Sequence, residues 1–593
     1  MCGIFGYSGE KKCNDLIFEG LRRLEYRGYD SWGIAILNGK IHQYKNIGEI
    51  KYDKMLQKLQ KGNIGIGHTR WATHGGVTKI NAHPHISEVG GFTLVQNGIV
   101  ENFNELKSSL LKKDVHFVSE TDTEVIVRLI ELELLKSKSL RQAIINVFKK
   151  LKGRNTIALL SNNDKKIYAV RNGSPLVLGI ATDGIYIASD TLSFSPATNE
   201  AVLLDDFDMV EIDGKNVSIY NIESNQFKPV KIKKLKHQFN KIEKGNFKHF
   251  MLKEIIDQKE TILFATKYLR KELLPLTNSI KKGGRVYVIG AGTAGFSAGQ
   301  IAYFLRNIAN IDAQEVKSYE FEQYISIVKK KDVLIAISQS GETADTIEAI
   351  EAFRKKGCKI ASLVNMYGTT ISRLSDFEFY TNSGPEICVA STKVFTAQCA
   401  WGYLLAMTLD NRFEESKKNL SILTKSISQI FLKSRLEKIK RVANKLKNKE
   451  HAFILGKGEN SYIALEGALK IKEISYKHVE GFAAGELKHG VIALIEKGTP
   501  VLSIIPSEDS CDFNDMISAV EQVKARGALT IGIGNDKSSK REIFDFYINV
   551  SQVENVSSIA NVIPFQLISY YLSVALGNNI DKPRNLAKSV TVK

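Results

Sequence analysis

Two hydrophobic textures divide the chain. Up to about residue 230 the apolar positions come in short strand-length runs, such as Phe92-Thr93-Leu94-Val95, closed by glycine or polar turns. Two helical patterns interrupt them. Asp15–Glu25 places Leu16, Ile17, Leu21 and Leu24 on one face, and Val125–Leu135 follows the capping string Ser119-Glu120-Thr121-Asp122-Thr123-Glu124. Gly65–Gly75 begins as a strand and ends as a loop. From residue 231 to 248 apolar density falls and lysine dominates, which predicts a linker. A helix starts at Phe250, and from Gly284 the texture becomes strand, glycine loop, helix.

That second texture repeats. Val286–Ile289 with Gly290-Ala291-Gly292 matches Phe453–Leu455 with Gly456-Lys457-Gly458, and Asp332–Ile337 matches Pro500–Ile505. Lys356-Gly357-Cys358-Lys359-Ile360 matches Arg526-Gly527-Ala528-Leu529-Thr530, so the offsets stay at about 166 to 170 residues. Two doubly wound parallel α/β units follow, each expected to bind ligand at the carboxyl ends of its strands. Gly290-x-Gly292-x-x-Gly295 does follow a strand. No acidic residue closes a second strand at the required place, however, and the other copy lacks the third glycine, which excludes a dinucleotide site.

Composition narrows the class. With 593 residues the chain needs several domains, and its 43% apolar and 25% charged content is that of a globular protein. Cys2, Cys13, Cys358, Cys388, Cys399 and Cys511 form no C-x-x-C pair, so a cytoplasmic location with reduced thiols is expected. Glycines at 3, 6 and 9 exclude a signal peptide. The apolar stretches Ala397–Leu409 and Val562–Leu576 are too short or too interrupted for a membrane span. The net charge of +18 is spread among acids without an aromatic-basic motif, which argues for a solvated basic surface and against nucleic-acid binding.

Candidate chemistry begins at residue 2. Removal of Met1 would give Cys2 a thiol and a free α-amine, a nucleophile carrying its own base. Arg70 has the fork to grip a carboxylate. Asn97-Gly98 supplies either two oxyanion donors or a plain turn, and Asp122 either meets an ammonium or caps a helix. His83 and His85 lack a third ligand at a suitable spacing, so no metal is expected. In the second half, Ser338-Gln339-Ser340-Gly341-Glu342-Thr343 turns from a buried strand into a helix, as a phosphate site or an ordinary cap would. Glu466, Lys470 and Glu473 share a helical stripe, either as a reactive row or as a solvated salt-bridge face. His489 lies in a glycine-bounded loop where it would be an acid or base near neutral pH, or inert.

The strings Cys2-Gly3-Ile4, Leu24–Ser31, His68–Gly75, Asn97–Asn102 and Ser119–Glu124 together resemble the glutaminase domain of the class II glutamine amidotransferases. Ser338–Thr346 and Val389-Ala390-Ser391-Thr392-Lys393, with the repeat, resemble the sugar isomerase (SIS) family. Together with the ending Pro583–Val592 they resemble, over the whole chain, the hexosamine-forming members of the amidotransferases. The resemblance implies an N-terminal-nucleophile four-layer αββα sandwich followed by two doubly wound parallel α/β SIS domains. It divides the chain into a glutaminase domain (2–230), a linker (231–248), SIS domains (249–435 and 436–577) and a catalytic tail (578–593). It implies transfer of the amide nitrogen of L-glutamine to D-fructose 6-phosphate with ketose–aldose isomerisation, the entry step of amino-sugar synthesis, in a homodimer without metal or other cofactor.

The roles it implies are these. Cys2 is the nucleophile, with Asn97 and Gly98 as the oxyanion hole. Arg70, Trp71, Thr73, His74 and Asp122 bind glutamine, Trp71 also gating ammonia. Thr293, Ser338, Gln339, Ser340, Thr343, Val389, Ser391 and Lys470 bind the sugar phosphate. His489 opens the ring, serving the neighbouring subunit's site, while Lys588 assists an imine at C2 and Glu473 shuttles the proton between C1 and C2.

The chain departs from the family pattern at several places. Trp32 and Gln96 replace a small residue and a histidine. Ala291 and Thr293-Ala294 replace a cysteine and Thr-Ser, so one hydroxyl on the phosphate is lost or supplied by Ser297. Pro385 and Cys388 flank Glu386. The alternatives are a non-catalytic phosphosugar-binding regulator, which would have no use for Cys2, Glu473, His489 and Lys588, and a class II amidotransferase acting on another phosphosugar.

Overall fold

A computed structural model describes residues 2–52, 54–89, 91–137, 139–235, 244–535, 539–553 and 556–591. Removal of Met1 and residues 236–243 of the expected linker lie outside them. The chain divides into two compact units. Met1–Ile242 forms one, together with Glu342–Ala344 and Ala587–Lys593, and Glu243–Gly341 with Asp345–Leu586 forms the other.

The first unit is the expected four-layer sandwich. One antiparallel sheet runs, edge to edge, through Lys233–Lys234, Glu200–Leu203, Val177–Ala181, Gly184–Ala188, Gly3–Gly9, Ile64–Arg70, Ser31–Asn38 and Lys40–Ile47. The other runs through Gln226–Lys228, Asn216–Asn221, Asp208–Asp213, Ile167–Val170, Asn155–Ser161, Phe92–Gly98 and His85–Ile86. Alternation decides the layering, because a strand presents successive side chains to opposite faces. Ile4, Ile66, Val95, Ala158 and Leu160 meet between the sheets. Phe5 and Tyr7 face away, toward the helix Cys13–Leu24. Phe92, Leu94, Ile157 and Leu159 face Asp122–Leu134 and Leu140–Phe148 on the far side. Trp32, one of the departures, is buried against Phe18 and Tyr44 in the outer layer.

Three sequence expectations shift here. Lys233 and Lys234 pair with Ala201 and Glu200, so the first domain runs past residue 230 into the expected linker. Asn97 and Gly98 are the end of a strand, paired with Thr156 and Asn155, rather than a turn. The helix after Ser119 starts at Asp122, and Glu124 satisfies the backbone before it by accepting from the Val118 and Ser119 N–H groups.

The second unit carries the repeat. Each copy is a five-stranded parallel sheet. Their orders are Ala313–Lys317, Val286–Gly290, Val333–Ser338, Lys359–Val364, Phe377–Tyr380 and His478–Ala483, His451–Gly456, Pro500–Ile505, Leu529–Gly534, Phe546–Asn549. The second and first strands therefore precede the third, and the switch point falls between first and third strands. Gly292 and Gly458 open the equivalent loops with the same φ of +56°, the backbone signature of the repeat. The copies share one core, built around the wholly buried helix Lys393–Leu409 and the helix Ser557–Leu576. Ser557–Leu576 is long and apolar enough to cross a membrane, but 78% of its apolar window is buried inside the protein. The expected boundary at 435/436 falls inside the helix Lys433–Leu446.

Candidate functional sites

Cys2 sits at the head of the central strand Gly3–Gly9. Its Sγ accepts from the Trp71 N–H at 3.3 Å, and its carbonyl accepts from Arg27 Nε at 3.2 Å. Burial raises the thiol pKa, opposed by the Trp71 hydrogen bond and the Arg70 charge. The loop beyond Arg70 is tied down in two ways. Ala72 N–H donates to Asp30 Oδ2 at 2.8 Å, and the Arg70 guanidinium donates to the carbonyls of His74, Gly75 and Gly76. Thr73 is exposed on that loop, while Trp71 and His74 are half-buried and His74 packs on Phe103 at 5.5 Å between ring centres.

Asn97, on the opposite sheet, reaches across to two residues beside Ile4. Its Nδ2 donates to Ser189 Oγ at 2.8 Å, and its Oδ1 faces His68 Nε2 at 3.2 Å. His68 Nε2 also lies 2.8 Å from the Gln96 carbonyl. Burial pushes the His68 pKa down to about 3, so the ring is neutral. Gly98 has φ +135° and packs on backbone: a Cβ there would stand 2.0 Å from the Arg154 carbonyl oxygen. Asp122 is buried. Desolvation raises its pKa, opposed by the hydrogen bond its Oδ2 accepts from Val100 N–H at 2.8 Å and by His74.

Gln96, the other departure, joins a buried polar chain. Its N–H donates to His83 Nδ1, so His83 carries its proton on Nε2 and donates to Thr123 Oγ1 at 3.1 Å. Thr123 in turn donates to Gln96 Oε1, and Gln96 Nε2 donates to Asn155 Oδ1 at 2.6 Å. His83 and His85 are held neutral by burial.

In the second unit the helix Asn460–Ser475 carries the Glu466, Lys470 and Glu473 stripe. Glu466 and Lys470 are fully buried, so the stripe is not a solvated salt-bridge face. Lys470 Nζ lies 2.6 Å from Glu473 Oε2 and 3.4 Å from Glu466 Oε1. It donates to Thr293 Oγ1 at 2.9 Å, and Thr293 donates on to Glu466 Oε1 at 3.2 Å. Burial pushes the Glu466 pKa up to about 8, against the pull of Lys470. Burial would lower the Lys470 pKa, but Glu466, Glu473 and Glu386 reverse this and hold it charged.

The hydroxyl loop is built by its own residues. Ser338 ends a buried strand, and its Oγ accepts from Gly341 N–H at 3.0 Å; Gln339, Ser340 and Thr343 are half-buried in the turn. Ser391 Oγ donates to Glu386 Oε2 at 2.8 Å, and Val389 N–H donates to the Asp581 carbonyl at 3.1 Å.

Comparison with known proteins agrees with both halves. Residues 279–408 and 445–576 match the SIS domain, and residues 68–195 match the glutamine amidotransferase domain. A protein of Pyrococcus horikoshii named glutamine–fructose-6-phosphate aminotransferase [isomerizing] is 41% identical over 612 residues, and the match covers both chains completely. One of the same name from Aquifex aeolicus is 39% identical, again over both full lengths. The chain belongs to the glutamine–fructose-6-phosphate aminotransferase (isomerizing) family. A solved C-terminal domain of glucosamine-fructose-6-phosphate aminotransferase from Francisella tularensis is 30% identical with a TM-score of 0.54, covering 58% of this chain and all of that one. A solved structure from Clostridium novyi, 17% identical with a TM-score of 0.52 over 57% of this chain and 93% of its own, shares the fold alone.

Within this aminotransferase family pattern, four residues stand differently from expectation. Ser297 cannot replace the lost phosphate hydroxyl: it is fully buried, and its one hydrogen goes to Gln398 Oε1 at 2.7 Å, with the Ala294 carbonyl at 3.0 Å as the alternative acceptor. Thr293 is committed to the Glu466–Lys470 pair. His489 ends an exposed 3-10 turn, Ala484–His489, rather than a loop, and among the described residues no hydrogen bond or ion pair joins it to the Glu466 row. Lys588 belongs to the tail stretch that groups with the first unit, where the Val590 carbonyl accepts from Ala344 N–H at 3.1 Å. Sequence reasoning assigned no role to His68, Ser189, Glu386 or Asp581. Only His68 had a signal, its place in the His68–Gly75 string.

Proposed function

We propose that the chain transfers the amide nitrogen of L-glutamine to D-fructose 6-phosphate and isomerises the product, releasing L-glutamate and D-glucosamine 6-phosphate. The observation that carries this reading is that one chain holds both a hydrogen-bonded thiol at residue 2 and a Glu466–Lys470–Glu473 row whose first two members are fully buried. A regulator that only senses phosphosugars needs neither.

At the first site the Cys2 Sγ attacks the side-chain amide carbon. The α-amine of Cys2, freed by loss of Met1, takes the thiol proton and returns it to the departing ammonia. Asn97 Nδ2 and the Gly98 N–H bind the oxyanion. Arg70 and Asp122 hold the carboxylate and ammonium of glutamine, within a loop completed by Trp71, Thr73 and His74. Water then cleaves the thioester to glutamate. Trp71 gates the ammonia, which must avoid bulk water because ammonium is not a nucleophile.

At the second site Ser338, Gln339, Ser340 and Thr343 bind the phosphate, with Val389 and Ser391 along the sugar. Thr293 contributes through Lys470, whose charge steadies the sugar oxygens. His489 opens the ring, and its exposed turn suits service to a neighbouring subunit in a homodimer. Lys588 assists the imine at C2. Glu473 moves one proton from C1 to C2, a task for a carboxylate that must accept and return it. The protein works in the cytoplasm.

The test is incubation with L-glutamine, with and without fructose 6-phosphate, for the intact enzyme and Cys2→Ala. Equimolar glutamate and glucosamine 6-phosphate that vanish in Cys2→Ala support the reading. Glutamate without amino sugar would mean another acceptor, and amino sugar from glutamine in Cys2→Ala would remove the nucleophile assignment.

A further inference from the structure

Asn97 comes from one sheet and Cys2 from the other, so the distance between nucleophile and oxyanion donor depends on how the sheets are held across their shared core. Two residues of the Cys2 sheet do this. Ile4, two residues from Cys2, has His68 as its partner on the strand to one side. On the other side Ile4 N–H donates to Ser189 Oγ at 2.8 Å, and Ser189 N–H donates back to the Ile4 carbonyl at 3.0 Å. Both residues then reach over the gap to the same side chain, His68 to Asn97 Oδ1 and Ser189 to Asn97 Nδ2.

We infer that His68 and Ser189 are positioning residues that clamp the Asn97 amide in the one orientation able to stabilise the oxyanion. The logic of donors and acceptors fixes that orientation step by step. The Gln96 carbonyl can only accept, so the His68 Nε2 beside it carries the proton. That N–H is shared between the Gln96 carbonyl at 2.8 Å and Asn97 at 3.2 Å, and a protonated Nε2 would repel an amide NH2 there, so Asn97 turns its oxygen toward His68 and its Nδ2 toward Ser189. Ser189 Oγ accepts from both Ile4 N–H and Asn97 Nδ2, which fills its two lone-pair positions. One of the two Nδ2 hydrogens is thereby used, and the other remains for a ligand. Flipping the amide would set oxygen against Ser189 and nitrogen against His68 Nε2–H, breaking the clamp and presenting oxygen to the oxyanion. His68 and Ser189 are both essentially buried, so no water substitutes for a lost arm.

The inference rests on Asn97 being the oxyanion donor, and the experiment separates the two ideas. Glutamate release from glutamine is measured for His68→Leu, His68→Gln, Ser189→Ala, Asn97→Ala and the double variant His68→Leu/Asn97→Ala, alongside the rate at which iodoacetamide alkylates Cys2. Asn97→Ala is expected to lower kcat by about 100-fold or more, as loss of an oxyanion donor does. His68→Leu should lower kcat by roughly tenfold or more with KM for glutamine and Cys2 alkylation within about twofold of the parent. His68→Gln should recover most of the loss, because the glutamine side chain can place an N–H where Nε2 stands. Ser189→Ala, a change too small to disturb packing, should reproduce the kcat loss even if His68→Leu fails to fold. The double variant should be no slower than Asn97→Ala alone, since the clamp acts only through that amide. Additive losses in the double variant, or unchanged kcat in both Ser189→Ala and His68→Leu while Asn97→Ala is impaired, would overturn the clamp. Unimpaired Asn97→Ala would instead overturn the oxyanion reading beneath it.

Discussion

Thr293 Oγ1 stands 2.9 Å from Lys470 Nζ, and through it a residue of the first SIS copy holds the central cation of the second. The hydroxyl does two things at once. It accepts from the ammonium and donates to Glu466, so it completes the coordination of a charge with no access to water. Thr293→Val keeps the shape and removes both bonds. The expected loss of stability is about 1–3 kcal/mol, the cost of leaving a buried polar group short of a partner. Chemical denaturation checks this, and Thr293→Ser should restore most of it. Glucosamine 6-phosphate formation should fall in Thr293→Val while glutamate release from glutamine does not.

The same row predicts a pH dependence. The folded pKa of Glu466 is raised to about 8, above the ordinary carboxylate value near 4.5. Between those values the folded chain holds a proton that the unfolded chain has released, so stability falls as pH rises from about 4.5 to 8. The slope from one group is at most about 1.4 kcal/mol per pH unit, and the pull of Lys470, which favours the ionised form, limits how far the window reaches upward. Glu466→Gln removes the titration. Its unfolding free energy, compared with the parent's at several pH values across that window, should gain relative stability toward pH 8. A constant difference would mean that Glu466 is already ionised when folded.

Much of this was readable in the sequence because it depends on short spacings. Glu466, Lys470 and Glu473 fall on one stripe whatever surrounds them, and the glycines at 292 and 458 mark a turn that only a left-handed backbone makes. Burial was not readable: a stripe of charges looks the same whether it faces water or Thr293. Nor could sequence show Asn97 lying between His68 and Ser189, because that contact joins strands of two different sheets, 29 and 92 residues apart along the chain. Asn97-Gly98 stayed open between a turn and a pair of oxyanion donors for a related reason. A dipeptide that commonly turns a hairpin is here held straight by pairing with Thr156 and Asn155.

Asp581 extends the argument to the base of the tail. Its carboxylate accepts from Phe250 and Met251 N–H, at 2.9 and 3.0 Å, at the start of the helix Phe250–Ala265, and its carbonyl accepts from Val389 N–H. His249, at the capping position, makes no side-chain cap of its own. Asp581→Ala should therefore cost about 0.5–2 kcal/mol, as loss of a helix cap does. Because Val389 hangs from the same residue, KM for fructose 6-phosphate should rise more than kcat falls. Steady-state kinetics with varied sugar phosphate, together with a denaturation curve, would separate the two effects.

Gly98 gives the sharpest steric test. At φ +135° an L side chain is strained wherever it sits, and a Cβ here would come to 2.0 Å from the Arg154 carbonyl oxygen, which backbone cannot avoid by rotating. The strand end must move for Gly98→Ala to fold, and Asn97 moves with it. Glutamate release should drop by about 100-fold or more, as though an oxyanion donor had been removed. Alkylation of Cys2 should stay near the parent rate, since the thiol is held by Trp71 on the other sheet. If alkylation collapsed as well, the substitution would have disordered the whole site, and the loss would say nothing about the Asn97–Gly98 pair in particular. Full glutaminase activity would show that the strand end relaxes freely and that the glycine is required for neither packing nor catalysis.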